Sequence, residues 1–134
     1  MRYISYLFII LAGLWGGIFP ARADDALESE KIYFFTYDGC PYCRQADEYI
    51  TKNHPALAME KIDIYKPGGM YLFKKCAEKF KLGRNIGTPL FCMGDDYIMG
   101  WSDENQIRFD ELSTNFQKKY FQQIPSLTPG YITG

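Results

Sequence analysis

The stretch Ile32-Tyr33-Phe34-Phe35-Thr36-Tyr37-Asp38-Gly39-Cys40-Pro41-Tyr42-Cys43 decides the architecture of this 134-residue chain. Its first five residues are aromatic or β-branched with no polar alternation, the pattern of a short strand buried on both faces. Asp38 and Gly39 end that strand. Pro41 then marks a helix start, because the N–H it lacks would have no intrahelical partner there. Arg44, Gln45, Asp47 and Glu48 interleave with Ala46, Tyr49 and Ile50, carrying the helix to about His54, and Pro55 closes it. Two cysteines therefore sit at a strand-to-helix junction.

Residues 57–65 alternate a mainly polar row (Leu57, Met59, Lys61, Asp63, Tyr65) with a mainly apolar one (Ala58, Glu60, Ile62, Ile64), which predicts a second strand. Pro67, Gly68 and Gly69 make a turn. Met70, Phe73, Ala77 and Phe80 recur at helical spacing, so a second helix is expected over residues 70–82 with Gly83 as its stop and Cys76 within it. Thr88 and Pro89 lead into the short strand Leu90 to Met93, and Tyr97 to Met99 return as its hairpin partner after Gly94, Asp95 and Asp96. Ser102, Asp103 and Glu104 cap a third helix carrying Ile107, Phe109, Leu112 and Phe116. Strand, helix, strand, helix, strand, strand, helix predicts an α/β domain with a mixed sheet and helices on both faces.

The ends read differently. Residues 1–23 have Arg2, an uncharged stretch from Tyr3 to Pro20, and Ala21 and Ala23 around Arg22, the anatomy of a secretory signal peptide cleaved after Ala23. An uncleaved membrane anchor is the alternative, since a short span needs about 17 residues. Residues 24–30 form an acidic linker, residues 31–120 the domain, and residues 121–134, with Pro125, Pro129, Gly130 and Gly134, an irregular tail. Export predicts a periplasmic or secreted protein, with no membrane attachment once the leader is removed and a monomer as the expected state. In such a compartment disulfides persist.

Composition narrows the function. With 15 basic against 16 acidic side chains the formal charge is -1, which lacks the basic excess that phosphate neutralisation demands, so nucleic acid is excluded as a partner. Hydrophobic residues at 47% and aromatics at 17% are too many for a disordered chain. Four cysteines meet a single histidine, His54, leaving little material for a mixed zinc site.

At a helix N-terminus the unpaired amides and the helix dipole stabilise a thiolate, so Cys40 is the candidate nucleophile. Cys43 lies about one turn further on, where its Cα falls roughly 5 Å away, within reach of a disulfide. Thiol-disulfide exchange is the reading this placement supports, and it requires no metal or organic cofactor. The same spacing also serves half of a zinc site or an inert structural disulfide. A second class of function is a non-enzymatic module that holds a soft metal such as Cu(I) on Cys40 and Cys43, or docks a partner.

Cys40-Pro41-Tyr42-Cys43 after an apolar strand, followed by Thr88-Pro89 before a hairpin and a terminal helix, resembles the thioredoxin superfamily over about residues 31–118. The Pro-Tyr pair is most similar to glutaredoxins. The resemblance implies a thioredoxin fold, a cis proline at Pro89 beside the active-site pair, and a Thr88 backbone that meets an extended substrate segment by strand addition. It assigns catalysis to Cys40 and Cys43 and substrate contact to Pro41, Tyr42, Thr88 and Pro89. Departures bear on substrate: Tyr37 stands where glutaredoxins usually carry lysine, Thr88-Pro89 lacks the intervening valine, and Trp101 replaces a glycine beside Gly100, Ser102 and Asp103. Protein or peptide thiols and disulfides are thus the expected substrates ahead of glutathione, with a further redox protein upstream.

Cys76 and Cys92 can bond to each other if the second helix packs on the sheet, or remain two buried thiols acting as small hydrophobes. Tyr33, Phe34, Phe35, Phe73, Phe80, Phe91 and Phe109 are the expected core. Trp101 and Tyr37 are either surface aromatics near the site or packing residues, and His54 is a helix-end residue without a catalytic role.

Overall fold

The computed structural model describes residues 27–121. The predicted leader at 1–23, residues 24–26 of the predicted linker and residues 122–134 of the predicted tail lie outside them. Seven elements follow in the expected order: β1 Ile32–Thr36, α1 Pro41–Asn53, β2 Glu60–Asp63, α2 Gly69–Lys79, β3 Leu90–Met93, β4 Asp96–Met99 and α3 Asp103–Phe121. The sheet order is β2-β1-β3-β4. β1 runs parallel to β2 and antiparallel to β3, and β3 runs antiparallel to β4. This is the thioredoxin fold.

Alternation along the strands sorts the core into two halves, since successive side chains leave a strand on opposite faces. Ile32 and Phe34 of β1, Phe91 and Met93 of β3 and Ile98 of β4 pack with Ala46 and Ile50 of α1 and Phe109 of α3. Tyr33 and Phe35, with Leu90 and Cys92, face the other way onto Phe73 and Cys76 of α2. Both central strands are buried throughout, which is why β1 reads as a continuous apolar run. No helix among the described residues is long and apolar enough to cross a membrane.

Several local expectations are corrected. The second strand is four residues rather than nine, an edge strand with Glu60 and Lys61 exposed, because only β1 offers it a partner. α2 starts at Gly69, where a Cβ would collide with the Asp63 carbonyl, and it ends at Lys79 rather than Leu82. The stop is Lys81, not Gly83. Lys81 is left-handed at φ 53, its N–H donates to Glu78 O at 3.1 Å, and Leu82 N–H donates to Ala77 O at 2.9 Å. That double bond pattern is the one that usually places glycine at the left-handed position. Met70 and Ile107, expected on apolar faces, are surface residues, Ile107 being 64% exposed. Trp101 is a packing residue, buried edge-on against Tyr49 and Phe109.

Cys76 and Cys92 form a disulfide that joins α2 to β3, so of the two arrangements open from sequence the bonded one holds. Across a loop of this length such a bond contributes about 3 kcal/mol on the chain-entropy account.

Candidate active site

Tyr37 to Cys40 turn the chain from β1 into α1, closed by a hydrogen bond from Cys40 N–H to Tyr37 O at 3.3 Å, with Gly39 at φ 92. Cys40 is the N-cap residue and Pro41 opens the first turn. Cys40 and Cys43 are bonded to each other, with Cα atoms 5.2 Å apart. Both are buried, and Pro41 and Tyr42 between them are exposed.

Two donors converge on the first sulfur. Cys43 N–H donates to Cys40 Sγ at 3.2 Å, and the Thr88 hydroxyl donates to it at 3.5 Å. Once the pair is reduced, the same two donors stabilise negative charge on Cys40, adding to the field of the helix N-terminus. Cys43 has no donor of this kind among the described residues. The asymmetry singles out Cys40 as the sulfur that the donors reach.

Thr88 reaches that position because it precedes β3, the strand next to β1. The Thr88-Pro89 peptide is cis, as the resemblance implied. Pro89 is buried, and its carbonyl accepts from Gly100 N–H at 2.8 Å, tying the start of β3 to the end of β4. Among the described residues neither the Thr88 N–H nor its C=O makes a hydrogen bond. Such groups can pair with an extended backbone laid beside them.

On the β2 side of the pair lies an open cavity of about 520 Å³, bounded by Tyr37, Arg44, Asp47, Lys61 and Asp63 as well as by both cysteines. Of these, the sequence points to Tyr37 as a residue near the site and does not single out Arg44, Asp47, Lys61 or Asp63. One signal was there to find: Asp47 is four residues beyond Cys43 and so shares its helix face. Asp47 Oδ2 pairs with Lys61 Nζ at 2.8 Å, both side chains being about half exposed. A pair of that kind contributes little to stability. Its position beside the disulfide gives the cavity a charged wall. Tyr37 stacks edge-on against Tyr65, which is 74% exposed, at a ring separation of 5.6 Å.

Thr88, Cys40 and Cys43 are therefore brought together, with Pro89 directly behind Thr88. Pro41 and Tyr42 stand on the outer surface of the first turn. Ser102 is occupied structurally, its Oγ accepting from Asn105 N–H at 3.2 Å to cap α3. His54 lies outside the site, its Nε2 2.6 Å from Asp110 Oδ1.

No family model matches the chain, and no curated protein matches it. Among solved structures, a glutaredoxin from Archaeoglobus fulgidus is similar over 58% of this chain and 83% of its own, with a TM-score of 0.45 and 16% sequence identity.

Proposed function

We propose that this chain is an exported thiol-disulfide oxidoreductase that exchanges disulfides with protein or peptide thiols through Cys40 and Cys43. The observation that carries the reading is a bonded Cys-x-x-Cys pair at a helix N-terminus whose first sulfur accepts from both Cys43 N–H and the Thr88 hydroxyl.

In the reducing direction the Cys40 thiolate attacks one sulfur of a substrate disulfide. A Cys40–substrate disulfide forms and the other substrate sulfur leaves as a thiolate. Cys43, deprotonated, then attacks Cys40 Sγ, closing the Cys40–Cys43 bond and releasing the second substrate thiolate. Two electrons pass from the cysteine pair to the substrate, and an upstream dithiol restores the pair. Run backwards, the same steps oxidise a substrate dithiol. Thr88 presents its free backbone groups to the substrate chain, with Pro89 behind it and with Pro41 and Tyr42 exposed beside the sulfurs. Glutathione is the smaller alternative substrate for the same step. Export is supported by the leader-like residues 1–23 and by the buried Cys76–Cys92 bond, which an oxidising compartment maintains.

The test is a redox titration, counting thiols by alkylation and mass spectrometry at each glutathione poise. The reading expects a reversible two-electron transition confined to Cys40 and Cys43. It fails if that pair stays bonded at every poise or stays blocked by retained metal.

A further inference from the structure

The second disulfide joins the two elements between which the segment bearing Thr88 is strung. Cys76 lies in the last turns of α2, where its carbonyl accepts from the helix-ending Phe80 N–H. Cys92 lies in β3, four residues after Thr88, and pairs with Tyr33 of β1. Between the Lys81 stop and Thr88 the chain has no regular structure. Gly83, Arg84, Asn85 and Gly87 are exposed, and among the described residues no backbone N–H from Gly83 to Thr88 donates a hydrogen bond. Only Leu82 and Ile86 anchor it, and both rest against the apolar cluster that surrounds the disulfide.

A segment without its own hydrogen bonds takes its position from where its ends are held. Apolar packing alone would let α2 slide on the sheet by small steps, whereas a disulfide fixes the Cys76–Cys92 Cα separation, here 6.3 Å. Lys79 Nζ also reaches the Gly94 carbonyl, but that contact is a single side-chain hydrogen bond at the far end of β3. The disulfide is the covalent tie, and it meets β3 two residues closer to Thr88 than that contact does.

We propose that Cys76 and Cys92 are positioning residues for the redox reaction: their disulfide is a clasp that holds the Thr88 segment against Cys40. Buried at 0% and 4% exposure, the bond takes no part in electron transfer. It acts through Thr88, whose hydroxyl meets the Cys40 sulfur and whose backbone meets the substrate. The proposal rests on Cys40 being the attacking thiol.

The test is a cycle of variants read on Cys40 itself. Cys76→Ala/Cys92→Ala removes the clasp, and Cys76→Val/Cys92→Ala removes it while refilling the space. Each is made with and without Thr88→Val, and the pH midpoint of Cys40 alkylation by iodoacetamide is followed after mild reduction, with mass confirming the clasp intact where it is present. With the clasp, Thr88→Val is expected to raise the midpoint by about one pH unit, the effect of one hydrogen bond to a charged sulfur. Without it, the midpoint is already raised and Thr88→Val adds almost nothing. Turnover of a peptide disulfide by the clasp-free variants is expected to show KM raised roughly tenfold with kcat within about threefold.

An equal Thr88→Val shift in both backgrounds overturns the proposal. So does global unfolding of both clasp-free variants, which would assign the bond to the stability of the whole domain. Failure of the underlying reading looks different: Cys40 would then be no more reactive than Cys43 in the unaltered protein.

Discussion

The amide of Cys43 donates to the sulfur of Cys40 at 3.2 Å, so the second cysteine of the pair holds the first as an acceptor. The relation is one-directional: among the described residues donors reach the sulfur of Cys40 and none reaches that of Cys43. Burial without donors raises a thiol's pKa, and donors aimed at a sulfur lower it.

Reduced protein given limiting iodoacetamide at pH 7 is therefore expected to be alkylated on Cys40 at least about tenfold faster than on Cys43, the ratio that one unit of pKa difference produces. Peptide mapping by mass spectrometry reads the ratio directly. Preferential labelling of Cys43 would exchange the two roles.

The sequence carried most of this because β1 and the first turn of α1 are local. An unbroken apolar strand, Asp38-Gly39 and Pro41 each speak within a few residues of Cys40, and the observed elements follow them. What was not legible depends on distant pairing. Cys92 faces α2 only because the β1–β3 register puts it opposite Tyr33, and Cys76 meets it only because α2 covers that face. Spacing along the chain is silent on both. The same holds for Asp110, which receives Tyr49 and His54 from sequence distances of 61 and 56. Met70 fits the helical period of α2 yet lies at its margin, where a shift of a few tens of degrees moves a side chain from core to surface, whereas Ile107, two residues before Phe109, is about 160° round α3 from it and faces away from the core.

Phe91 is the centre of the larger core half. It is fully buried, stacked on Phe34 at 4.6 Å and edge-on to Phe109 at 5.1 Å, with Trp101 also in contact. Four rings meeting at one site cannot collapse inward together when one is removed. Phe91→Ala is expected to cost about 3–5 kcal/mol in urea unfolding. A loss below about 1 kcal/mol would mean the cluster refills the space.

Lys81 is in the left-handed conformation that side chains with a Cβ adopt at a cost of roughly 1–2 kcal/mol. Lys81→Gly is expected to stabilise the domain by about 0.5–1 kcal/mol, after the extra freedom glycine gives the unfolded chain is subtracted. Lys74→Gly, on the exposed face of α2, should do the opposite and lose about 1 kcal/mol. Paired melting curves read both. If both substitutions destabilised equally, the stop would lie elsewhere.

Tyr49 gives the domain an alkaline limit of known sign. Its phenol donates to Asp110 Oδ2 at 2.8 Å, and that hydrogen bond, then partial burial, then the carboxylate's charge hold it above its ordinary value of 10.0. The folded protein thus keeps this proton to higher pH than the unfolded chain does. A raised value of this kind stabilises fully below pH 10 and drains away as pH climbs through the folded value. Tyr49→Phe should lower stability at pH 8 by about 1 kcal/mol, because Asp110 loses one donor and keeps His54. Above about pH 10 the gap between the variant and the unaltered protein should close. Taking that difference cancels the other tyrosines, which titrate in both proteins, so a gap constant from pH 8 to pH 11 would show that the Tyr49 proton is not linked to folding.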